Sequence, residues 1–308
     1  MTYDLIIIGG GPAASAAAVY AARKRLTTAL IAAEFGGQSV VSTDIQNWIG
    51  TPHISGADLA KSFKTHVSEY AGEFLTILEG AWVTGISGAA GAFSVAMDGK
   101  EPLAGRAVLI ATGSKRRQLE IPGAAEYEHK GLTYCASCDG PMFAGQDAIV
   151  VGGGNAAFET AAQLLAYCSS VTLVNRSATF RADEITVQQT LKDPKFKAVT
   201  EVTMLAVEGG DFVDGMRVKH KDGTEEKLPA AGIFVEIGQL PSSAFVKGFV
   251  DTTDTGCIKI DPRTQATNVT GVWAAGDVTD VLYHQNNIAA GDAVRALEDI
   301  YIWLHKNK

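Results

Sequence analysis

The stretch Leu5-Ile-Ile-Ile-Gly-Gly-Gly-Pro-Ala-Ala14 decides the fold, because it returns later in the chain as Ala148-Ile-Val-Val-Gly-Gly-Gly-Asn-Ala-Ala157. Each copy is a short apolar run that passes through three glycines into an alanine-rich segment. Such a run is typical of a central parallel strand that is buried on both faces. The same repeat places a second apolar run, Ala29-Leu-Ile31, in register with Thr172-Leu-Val174. The sequence therefore predicts two βαβ units.

Each glycine finger has the form of a dinucleotide-binding turn. The first glycine permits the tight turn, the second lets the backbone approach a pyrophosphate, and a third small residue lets the helix pack on the strand. These positions are Gly9, Gly11 and Ala14 in the first finger, and Gly152, Gly154 and Ala157 in the second. The N-terminus of the following helix favours the negative charge of the pyrophosphate. One finger would be weak evidence, whereas two in register predict two dinucleotide sites.

Between the fingers lies Cys135-Ala-Ser-Cys138-Asp139. Two thiols at this spacing can close into an easily reduced disulfide, and a neighbouring carboxylate can supply or take up the proton that thiol–disulfide exchange moves. A zinc site would need two further ligands at short spacing, and the other cysteines, Cys168 and Cys257, are isolated. We therefore expect a redox pair, no metal, and buried free thiols at Cys168 and Cys257. One nucleotide site would then hold a flavin and the other a nicotinamide.

Length and composition favour a two-domain α/β protein. The 308 residues exceed the size at which one core usually stops growing, and 46% of them are apolar. The net charge of −8 argues against a nucleic-acid partner, which demands a basic surface. No stretch approaches the roughly 20 uninterrupted apolar residues of a membrane span, so the sequence predicts no membrane segment and a cytoplasmic location.

Each βαβ unit is expected to continue into a β-meander that returns to its sheet. The expected segments are 75–83, 92–97 and 106–113 after the first unit, and 198–207, 212–220 and 231–238 after the second. A last strand at 271–277 and a helix from about Gln285 to Leu304 would complete the first domain. We place the boundaries so that residues 1–115 and 247–308 form one domain and residues 116–246 form a second domain inserted into it.

The chain resembles the low-molecular-weight thioredoxin reductases and the related flavoprotein subunit of alkyl hydroperoxide reductase, over nearly its whole length. The matching stretches are Gly9-Gly-Gly-Pro12, Phe35-Gly-Gly-Gln38, Ala111-Thr-Gly113, Tyr134-Cys-Ala-Ser-Cys-Asp-Gly-Pro141, Gly152-Gly-Gly-Asn155, Gly232-Ile-Phe-Val-Glu-Ile-Gly-Gln-Leu-Pro241 and Ala275-Gly-Asp277. The resemblance implies two Rossmann-like nucleotide-binding domains, each with three layers (ββα). The hydroperoxide-reductase flavoprotein carries an additional N-terminal thioredoxin-like region, so a separate protein is expected to accept the electrons here.

The resemblance implies FAD in the first domain. The positions expected to bind it are Gly9, Gly11, Pro12, Ala14, Glu34, Gly37, Gln38, Ala111, Thr112, Gly113, Gly276, Asp277, Gln285 and Asn286. Gly9, Gly11 and Pro12 would lie at the pyrophosphate, and Gly37 and Gln38 on the flavin side. Asp277 would lie at the ribityl–pyrophosphate portion, and the alternative for it is a turn carboxylate after a strand. Gln285 and Asn286 would lie near the isoalloxazine.

The resemblance also assigns roles to the cysteine motif. Cys138 would exchange electrons with the flavin, Cys135 would attack the disulfide of the partner, and Asp139 would act as the acid and base. The alternative for Asp139 is the N-cap of the helix that follows, and the two roles are compatible. Because the cysteine pair and the second finger share the inserted domain, both would reach one flavin only if that domain rotates, with hinges near residues 116 and 244.

The nicotinamide site would lie in the inserted domain. The expected contacts are Gly152, Gly154, Asn155, Ala157, Arg176, Arg181 and Gly238. Relatives that use NADPH carry a His-Arg-Arg cluster and a further Arg, because guanidinium groups bind the 2′-phosphate. This chain has Asn175-Arg176-Ser177 and then Arg181, so two of these arginines remain. An NADH site would prefer an acidic residue at Asn175; we therefore expect NADPH, with NADH possible and ordinary surface charge as the alternative for the arginines.

These inferences predict a disulfide reductase that passes electrons from NADPH through FAD and the Cys135/Cys138 pair to a thioredoxin-like or glutaredoxin-like protein. The resemblance alone adds that the protein is a homodimer. Three alternatives stay open at the level of sequence. They are a flavin-dependent dithiol oxidase or a reductase with another electron donor, a non-catalytic redox sensor, and a flavin oxidase that passes electrons from NAD(P)H to oxygen.

Overall fold

The computed structural model describes residues 2–42 and 44–307, which divide into two compact units. Unit 1 contains residues 2–115 and 240–307, and unit 2 contains residues 116–239. The chain returns to unit 1 before the boundary expected at 246/247. The reason is that Ser242 already forms hydrogen bonds within unit 1. Its N–H donates to Gly113 O at 2.9 Å, and its carbonyl oxygen accepts from Thr112 Oγ1 at 2.8 Å. Val246 is then fully buried in the core of unit 1.

Parallel β-strands form the centre of each unit, and antiparallel strands follow them. The strands are β1 Thr2–Ile8, β2 Thr28–Ala32, β3 Leu75–Glu79, β4 Val83–Ala89, β5 Ala92–Met97, β6 Lys100–Ile110, β7 Ser114–Arg116, β8 Leu132–Thr133, β9 Asp147–Val151, β10 Ser170–Val174, β11 Phe196–Val199, β12 Thr203–Gly209, β13 Val213–Lys219, β14 Glu225–Pro229, β15 Gly232–Val235, β16 Gln239–Pro241 and β17 Val272–Ala274.

Both glycine fingers lead directly from a strand into a helix, as the repeat predicts. The α-helices are α1 Pro12–Arg23, α2 Gly56–Ser68, α3 Ala136–Asp139, α4 Asn155–Leu165, α5 Glu184–Thr190 and α6 Asn286–Lys306. Short 3₁₀ helices cover Gly37–Val41, Gly140–Phe143 and Ala244–Val246. The expected segment 75–83 is two strands, because the chain turns at Gly80 in the left-handed region (φ 71°).

The sheet of unit 1 runs in the order β3-β2-β1-β6-β5-β4, and β17 pairs in parallel with the end of β6. Strand β1 is buried on both faces, which explains its unbroken apolar sequence. Leu5 and Ile7 pack against α1 and α6 on one face, whereas Ile6 and Ile8 pack into a second cluster on the other. Strand β17 and helix α6 complete this unit, as expected from the sequence.

The parallel sheet of unit 2 runs in the order β11-β10-β9-β15-β8. Helix α4 packs on one face, where Phe158 and Leu164 contact Val150 in a buried cluster. The second meander returns to this sheet through β15, as expected, whereas β12, β13 and β14 form a separate antiparallel sheet. Its residue Met216 shares the core on the opposite face with Ile149. Unit 2 therefore has two sheet layers and a helix layer, which is the predicted ββα arrangement.

Helix α6 is the longest helix of the described part of the chain, with 21 residues. Within residues 2–42 and 44–307, no helix combines the length and the apolar character needed to cross a membrane.

Candidate active site and nucleotide-binding fingers

The first two glycines of the first finger, Gly9 and Gly10, are packed so tightly that neither position has room for a side chain. Gly9 has a left-handed φ of 136°, and a Cβ there would overlap the carbonyl oxygen of Ala111. A Cβ on Gly10 would overlap the carbonyl oxygen of Glu34, which follows strand β2. Both obstacles are backbone atoms, so neither can turn away. The loop is thus held against the ends of β6 and β2 by its own lack of side chains.

Helix α1 begins at this loop with an open N-terminus. Gly11 is the N-cap, Pro12 lies in the first turn, and no side chain in the described part of the chain caps the helix. Ala14 is fully buried, so the helix lies close to the sheet. The first N–H groups of a helix have no partner within it and attract anions. The finger and the helix together form a cradle that fits a pyrophosphate.

Polar side chains from three distant segments meet near this cradle in unit 1. Gln38 Nε2 donates to Ser114 Oγ at 3.0 Å and lies 3.5 Å from Asp277 Oδ2. Two further bonds join Ser39 Oγ to Asn286 Oδ1 (3.0 Å) and Asn47 Nδ2 to Gln285 Oε1 (3.1 Å). Asp277 therefore contacts a glutamine from another segment and is more than an isolated turn carboxylate. Four predicted FAD contacts, Gln38, Asp277, Gln285 and Asn286, take part in these bonds.

Other predicted FAD contacts shape the backbone around the cradle. Gly113 and Gly276 adopt left-handed φ values of 65° and 74°. A Cβ on Gly276 would lie 3.1 Å from Ala289 of α6, so the glycine lets the chain pass close to that helix. Gly37 also has a positive φ, of 67°, at the start of its 3₁₀ helix. Glu34 is exposed just beyond β2, where an acidic side chain can reach a ribose hydroxyl.

The second finger repeats the first within unit 2. Gly152 has a φ of 147°, and a Cβ there would overlap the carbonyl oxygen of Glu236. Gly154 is the N-cap of α4, again without a side-chain cap among the described residues, and Ala157 is fully buried. The middle glycine differs: a Cβ on Gly153 would lie 2.7 Å from the side chain of Asn175. This finger also fits a pyrophosphate, but a side chain rather than backbone closes it on one side.

Asn175 has a structural role that the sequence did not reveal. Its side chain is buried, and its Nδ2 donates to Ser177 O at 2.9 Å and to Thr179 O at 3.0 Å. It thereby fixes the loop that carries the two predicted arginines. Arg181 is tied to the finger through its own N–H, which donates to Gly153 O at 2.7 Å. Arg176 is exposed, and its guanidinium pairs with no side chain in residues 2–42 and 44–307.

The remaining predicted nicotinamide contacts lie at the same edge of the sheet. Asn155 Oδ1 accepts from the N–H of Asp183 at 2.8 Å, so this side chain caps the approach to α5. Gly238 has a φ of 105°, and its carbonyl accepts from the N–H of Arg117 at 3.0 Å. Glu236, between β15 and Gly238, is mostly buried, with 10% of its side chain exposed.

The carboxyl group of Glu236 is satisfied within unit 2. Thr160 Oγ1 donates to it at 3.0 Å, and Arg116 Nη1 lies 3.4 Å from it. Burial raises the pKa of Glu236, while the charge of Arg116 and the bond from Thr160 act against this. The sequence did not single out Glu236.

Cys135 and Cys138 form a disulfide, as the sequence predicts, with their Cα atoms 5.3 Å apart. Cys135 is the N-cap of the short helix α3, and its sulfur accepts from the N–H of Cys138 at 3.2 Å. Both residues are half-buried. The N–H of Asp139 donates to the carbonyl oxygen of Cys135 at 3.0 Å, so α3 is held by its backbone as well as by the disulfide.

The side chain of Asp139 does not cap the helix that follows, which excludes the N-cap alternative for its carboxyl group. Instead it accepts a hydrogen bond from Thr133 Oγ1. Burial raises the pKa of Asp139, and the bond from Thr133 and the charge of His129 act in the opposite direction. A raised pKa keeps a carboxyl group protonated closer to neutrality, as a proton donor to a thiolate requires.

Helix α4 and the residues just after it pack against the cysteine motif. A Cβ on Gly140 would overlap the hydroxyl of Tyr167, just past the end of α4. Ser137 Oγ donates to Gln163 Oε1 of α4 at 3.2 Å. A side chain at position 140 would have to displace Tyr167, and the cysteine motif packs against the same helix that begins at the second finger.

The other two cysteines are free. Cys168 is buried as expected, but Cys257 is only half-buried. Cys257 ends an exposed turn, in which the N–H of Thr253 donates to the carbonyl oxygen of Cys257 at 2.8 Å. Residues 2–42 and 44–307 contain no group of three or more His, Cys, Asp or Glu side chains that could hold a metal ion.

The sequence did not single out Gly10, Thr133, Asn175 or Tyr167 for the contacts they make. The only available signals were the middle glycine of the first finger and a threonine two residues before Cys135. Neither says which distant group is the partner, because each contact depends on how the elements pack.

The family follows from comparison with known proteins. A family model described as pyridine nucleotide-disulphide oxidoreductase matches residues 3–293. The chain belongs to this family. The F subunit of alkyl hydroperoxide reductase from Pseudomonas putida is 37% identical over 96% of this chain, and thioredoxin reductase from Mycolicibacterium smegmatis is 36% identical over 98% of it. The resemblance predicted from the motifs is confirmed.

Solved structures of pyridine nucleotide-disulphide oxidoreductases support the fold as well. Thioredoxin reductase from Giardia duodenalis matches with a TM-score of 0.92 at 31% identity and covers 99% of both chains. The predicted α/β fold with two Rossmann-like domains is therefore confirmed. The chain spans 57% of the P. putida relative and 97% of the M. smegmatis relative. The chain thus spans little more than half the length of the hydroperoxide-reductase relatives.

Proposed function

We propose that this protein is an FAD-dependent disulfide reductase that passes electrons from NADPH to a thioredoxin-like or glutaredoxin-like protein through Cys135 and Cys138. We also propose that it works in the cytoplasm as a homodimer. The observation that carries the proposal is the disulfide next to a half-buried carboxyl group, in a unit that also contains an open glycine finger. A structural disulfide needs neither of these neighbours.

The residues of unit 1 fit FAD. Backbone-tight glycines and the open N-terminus of α1 suit the pyrophosphate, and exposed Glu34 suits a ribose. Gln38, Asp277 and Asn286 form the polar side of the cradle. Bound FAD would supply the conversion of a hydride from the nicotinamide into two electrons for a disulfide.

The residues of unit 2 fit a nicotinamide dinucleotide. The finger at Gly152 and Gly154 suits the pyrophosphate. Gly238, which has no side chain, lies at the same edge of the parallel sheet and leaves its backbone accessible. Exposed Arg176 supports NADPH, because a guanidinium without an acidic partner is available to a 2′-phosphate. Asn175 is neutral, so it does not offer the negative charge that would hold the two ribose hydroxyls of NADH. Both its amide protons are already donated to carbonyl oxygens of the loop.

In the reduced dithiol form, the thiolate of Cys135 attacks one sulfur of the partner's disulfide and displaces the other as a thiolate. Asp139 gives that leaving thiolate a proton. Cys138 then attacks Cys135, which closes the disulfide and releases the second sulfur of the partner. Two electrons have passed from the pair to the partner, together with the one proton that Asp139 gave to the first sulfur. The second sulfur leaves as a thiolate, and Asp139 regains the proton that Cys138 gives up.

The test is anaerobic mixing of the purified protein with NADPH or NADH, followed by addition of an oxidised thioredoxin. We expect one FAD per chain, bleaching of the flavin by NADPH, and reduction of the added disulfide. Cys135→Ser and Cys138→Ser should each abolish disulfide reduction while bleaching by NADPH continues.

The matched control is Cys168→Ser, which changes a buried thiol outside the motif and should leave disulfide reduction in place. Partner reduction that survives either motif substitution would refute the proposal. If a small dithiol or another reductant bleaches the flavin and neither nucleotide does, the protein is a dithiol oxidase or a reductase with another donor. Rapid oxidation by oxygen without a need for the cysteines would indicate an oxidase.

A further inference from the structure

Thr133 occupies a fixed position between the two parts of the cysteine motif. It is the last residue of β8, it is buried, and its backbone is paired with Phe234 of the neighbouring strand β15. Its hydroxyl donates to Asp139 Oδ2 and accepts from the N–H of Cys135 at 3.4 Å. One hydroxyl therefore contacts both the residue that opens the motif and the carboxyl group that ends it.

We propose that Thr133 is a positioning residue, which orients the carboxyl group of Asp139 for proton transfer during thiol–disulfide exchange. The inference rests on the function proposed above, and it adds a residue outside the Cys-Ala-Ser-Cys-Asp segment to the apparatus of that reaction.

The hydrogen-bond geometry carries the argument. A threonine hydroxyl has a single proton, and here that proton points at Asp139 because the Cys135 N–H approaches the lone-pair side of the oxygen. A β-branched side chain in a strand has restricted rotamers, so the hydroxyl has little freedom to turn away. The backbone N–H of Asp139 is also held, on Cys135 O at 3.0 Å. The carboxyl group is thus fixed from its own backbone and from the strand.

The bond leaves one carboxyl oxygen of Asp139 for the proton that moves. Thr133 donates to Oδ2, so Oδ1 is the oxygen that can carry a proton towards a thiolate. Without the threonine hydroxyl, the carboxyl group could rotate about its own bonds and exchange the two oxygens. A correctly placed donor contributes only when its proton lies in the direction of the acceptor.

The electrostatics of Asp139 agree with this role. Burial raises the pKa of Asp139, and the Thr133 bond holds that rise back by stabilising the ionised carboxylate. The other titratable groups around it are the thiols of Cys135 and Cys138 once reduced, exposed His129, and Tyr167 beneath Gly140. Removal of the Thr133 hydroxyl should therefore raise the pKa of Asp139 further, and removal of His129 would act in the same direction.

The test uses full-length holoprotein whose dithiol has been reduced beforehand, mixed in a single turnover with oxidised thioredoxin. Thr133→Val removes the hydroxyl and keeps the shape, and it should slow the transfer about 10- to 100-fold, the range expected for a lost hydrogen bond to a charged group. The alkaline fall in rate should move to higher pH, because a raised pKa keeps the carboxyl group protonated longer. Thr133→Ser restores the hydroxyl and should stay within a few-fold of wild type.

Two controls separate positioning from general damage. Thr190→Val removes another buried hydroxyl of unit 2, one that bonds only to Thr186 O at 2.8 Å on α5, and should leave the rate and its pH profile unchanged. In the Asp139→Asn background, Thr133→Val should add almost nothing, because a residue that acts through Asp139 has no further effect once that carboxyl group is gone.

The outcomes are distinguishable from failure of the proposed function. If wild-type protein does not reduce the disulfide at all, the proposed function fails. If wild type reduces it and Thr133→Val keeps both the wild-type rate and the wild-type pH profile, the role of Thr133 is refuted. Full additivity of Thr133→Val and Asp139→Asn would refute it too. Should Thr133→Val lose its FAD or melt early, Thr133→Ala in the same double-variant cycle decides the question.

Discussion

The two glycine fingers have nearly the same backbone and different surroundings. In both, the first glycine has a φ near the same value, 136° at Gly9 and 147° at Gly152, and a Cβ would overlap a carbonyl oxygen at the end of a neighbouring strand. In both, a glycine N-cap opens a helix without a side-chain cap among the described residues. The finger therefore specifies a pyrophosphate and does not specify which dinucleotide.

The difference lies at the end of the second strand of each unit. After β2 the chain presents exposed, acidic Glu34, and after β10 it presents buried Asn175 followed by exposed Arg176. An acid suits ribose hydroxyls, and a guanidinium suits a phosphate. Under the proposed function, the choice between FAD and NADPH depends on residues that lie outside the repeated motif, which is why the repeat alone could not assign it.

The largest effect should come from substitutions in the middle of the fingers. Gly10→Ala must displace the backbone carbonyl of Glu34, whereas Gly153→Ala meets the side chain of Asn175. We expect Gly10→Ala to lose FAD and to lower the free energy of unfolding by at least about 1–3 kcal/mol. Gly153→Ala should keep FAD and lower the free energy of unfolding by a smaller amount. Flavin absorbance per chain and thermal unfolding check both. Gly154→Ala, with open space around it, should melt close to wild type, and equal damage in all three would contradict the comparison.

An intermediate effect is expected at the end of β10. Arg176→Ser should lower the preference for NADPH over NADH in kcat/KM by about 10- to 100-fold, because one charge-assisted contact contributes roughly 1.5–3 kcal/mol. Arg263→Ser, an exposed arginine of unit 1, is the control and should leave the ratio unchanged. A wild-type protein that clearly prefers NADH would overturn this choice of donor and leave the disulfide reductase proposal standing.

The smallest effect is expected at two equivalent aspartates, Asp4 near the start of β1 and Asp147 at the start of β9. Asp4 accepts from Thr27 Oγ1 at 2.7 Å and pairs with Arg106 at 2.9 Å, whereas Asp147 in the equivalent position accepts from Ser170 Oγ at 2.6 Å. Burial alone would raise the pKa of Asp4, but the bonds from Thr27 and Arg106 outweigh it and lower that pKa. The stabilisation is therefore present above the unfolded pKa of Asp4 and is lost as the pH falls.

Asp4→Asn should accordingly cost at most about 1 kcal/mol near neutral pH, because a partly exposed ion pair contributes little, and should cost less in acid. Urea unfolding at several pH values measures this. Asp147→Asn, which keeps a side chain able to accept from Ser170, should cost less near neutral pH. A cost for Asp4→Asn that grows as the pH falls would contradict the assigned ion pair.

The sequence allowed the α/β class, the two βαβ units and the cysteine pair to be predicted, because each depends on local periodicity or spacing. It did not show that β12 to β14 form a sheet of their own, because the sequence pattern of three consecutive paired strands is the same whether or not they join the parallel sheet. It also did not show that Thr133 bonds to Asp139, or that Gly140 leaves room for Tyr167. These contacts depend on packing between elements. The position of Asn175 was read as a lost cofactor contact, and its buried bonds to the loop give it a different role.

The central claim is that reducing equivalents from the nicotinamide reach the Cys135–Cys138 disulfide. Its most direct test is to treat the holoprotein anaerobically with NADPH, quench with an alkylating reagent, and locate the modified cysteines by mass spectrometry. We predict that both motif cysteines become alkylated after NADPH and stay protected before it, and that protein stripped of flavin shows no change. If NADPH bleaches the flavin while the disulfide stays closed, the electron path through these two cysteines is contradicted.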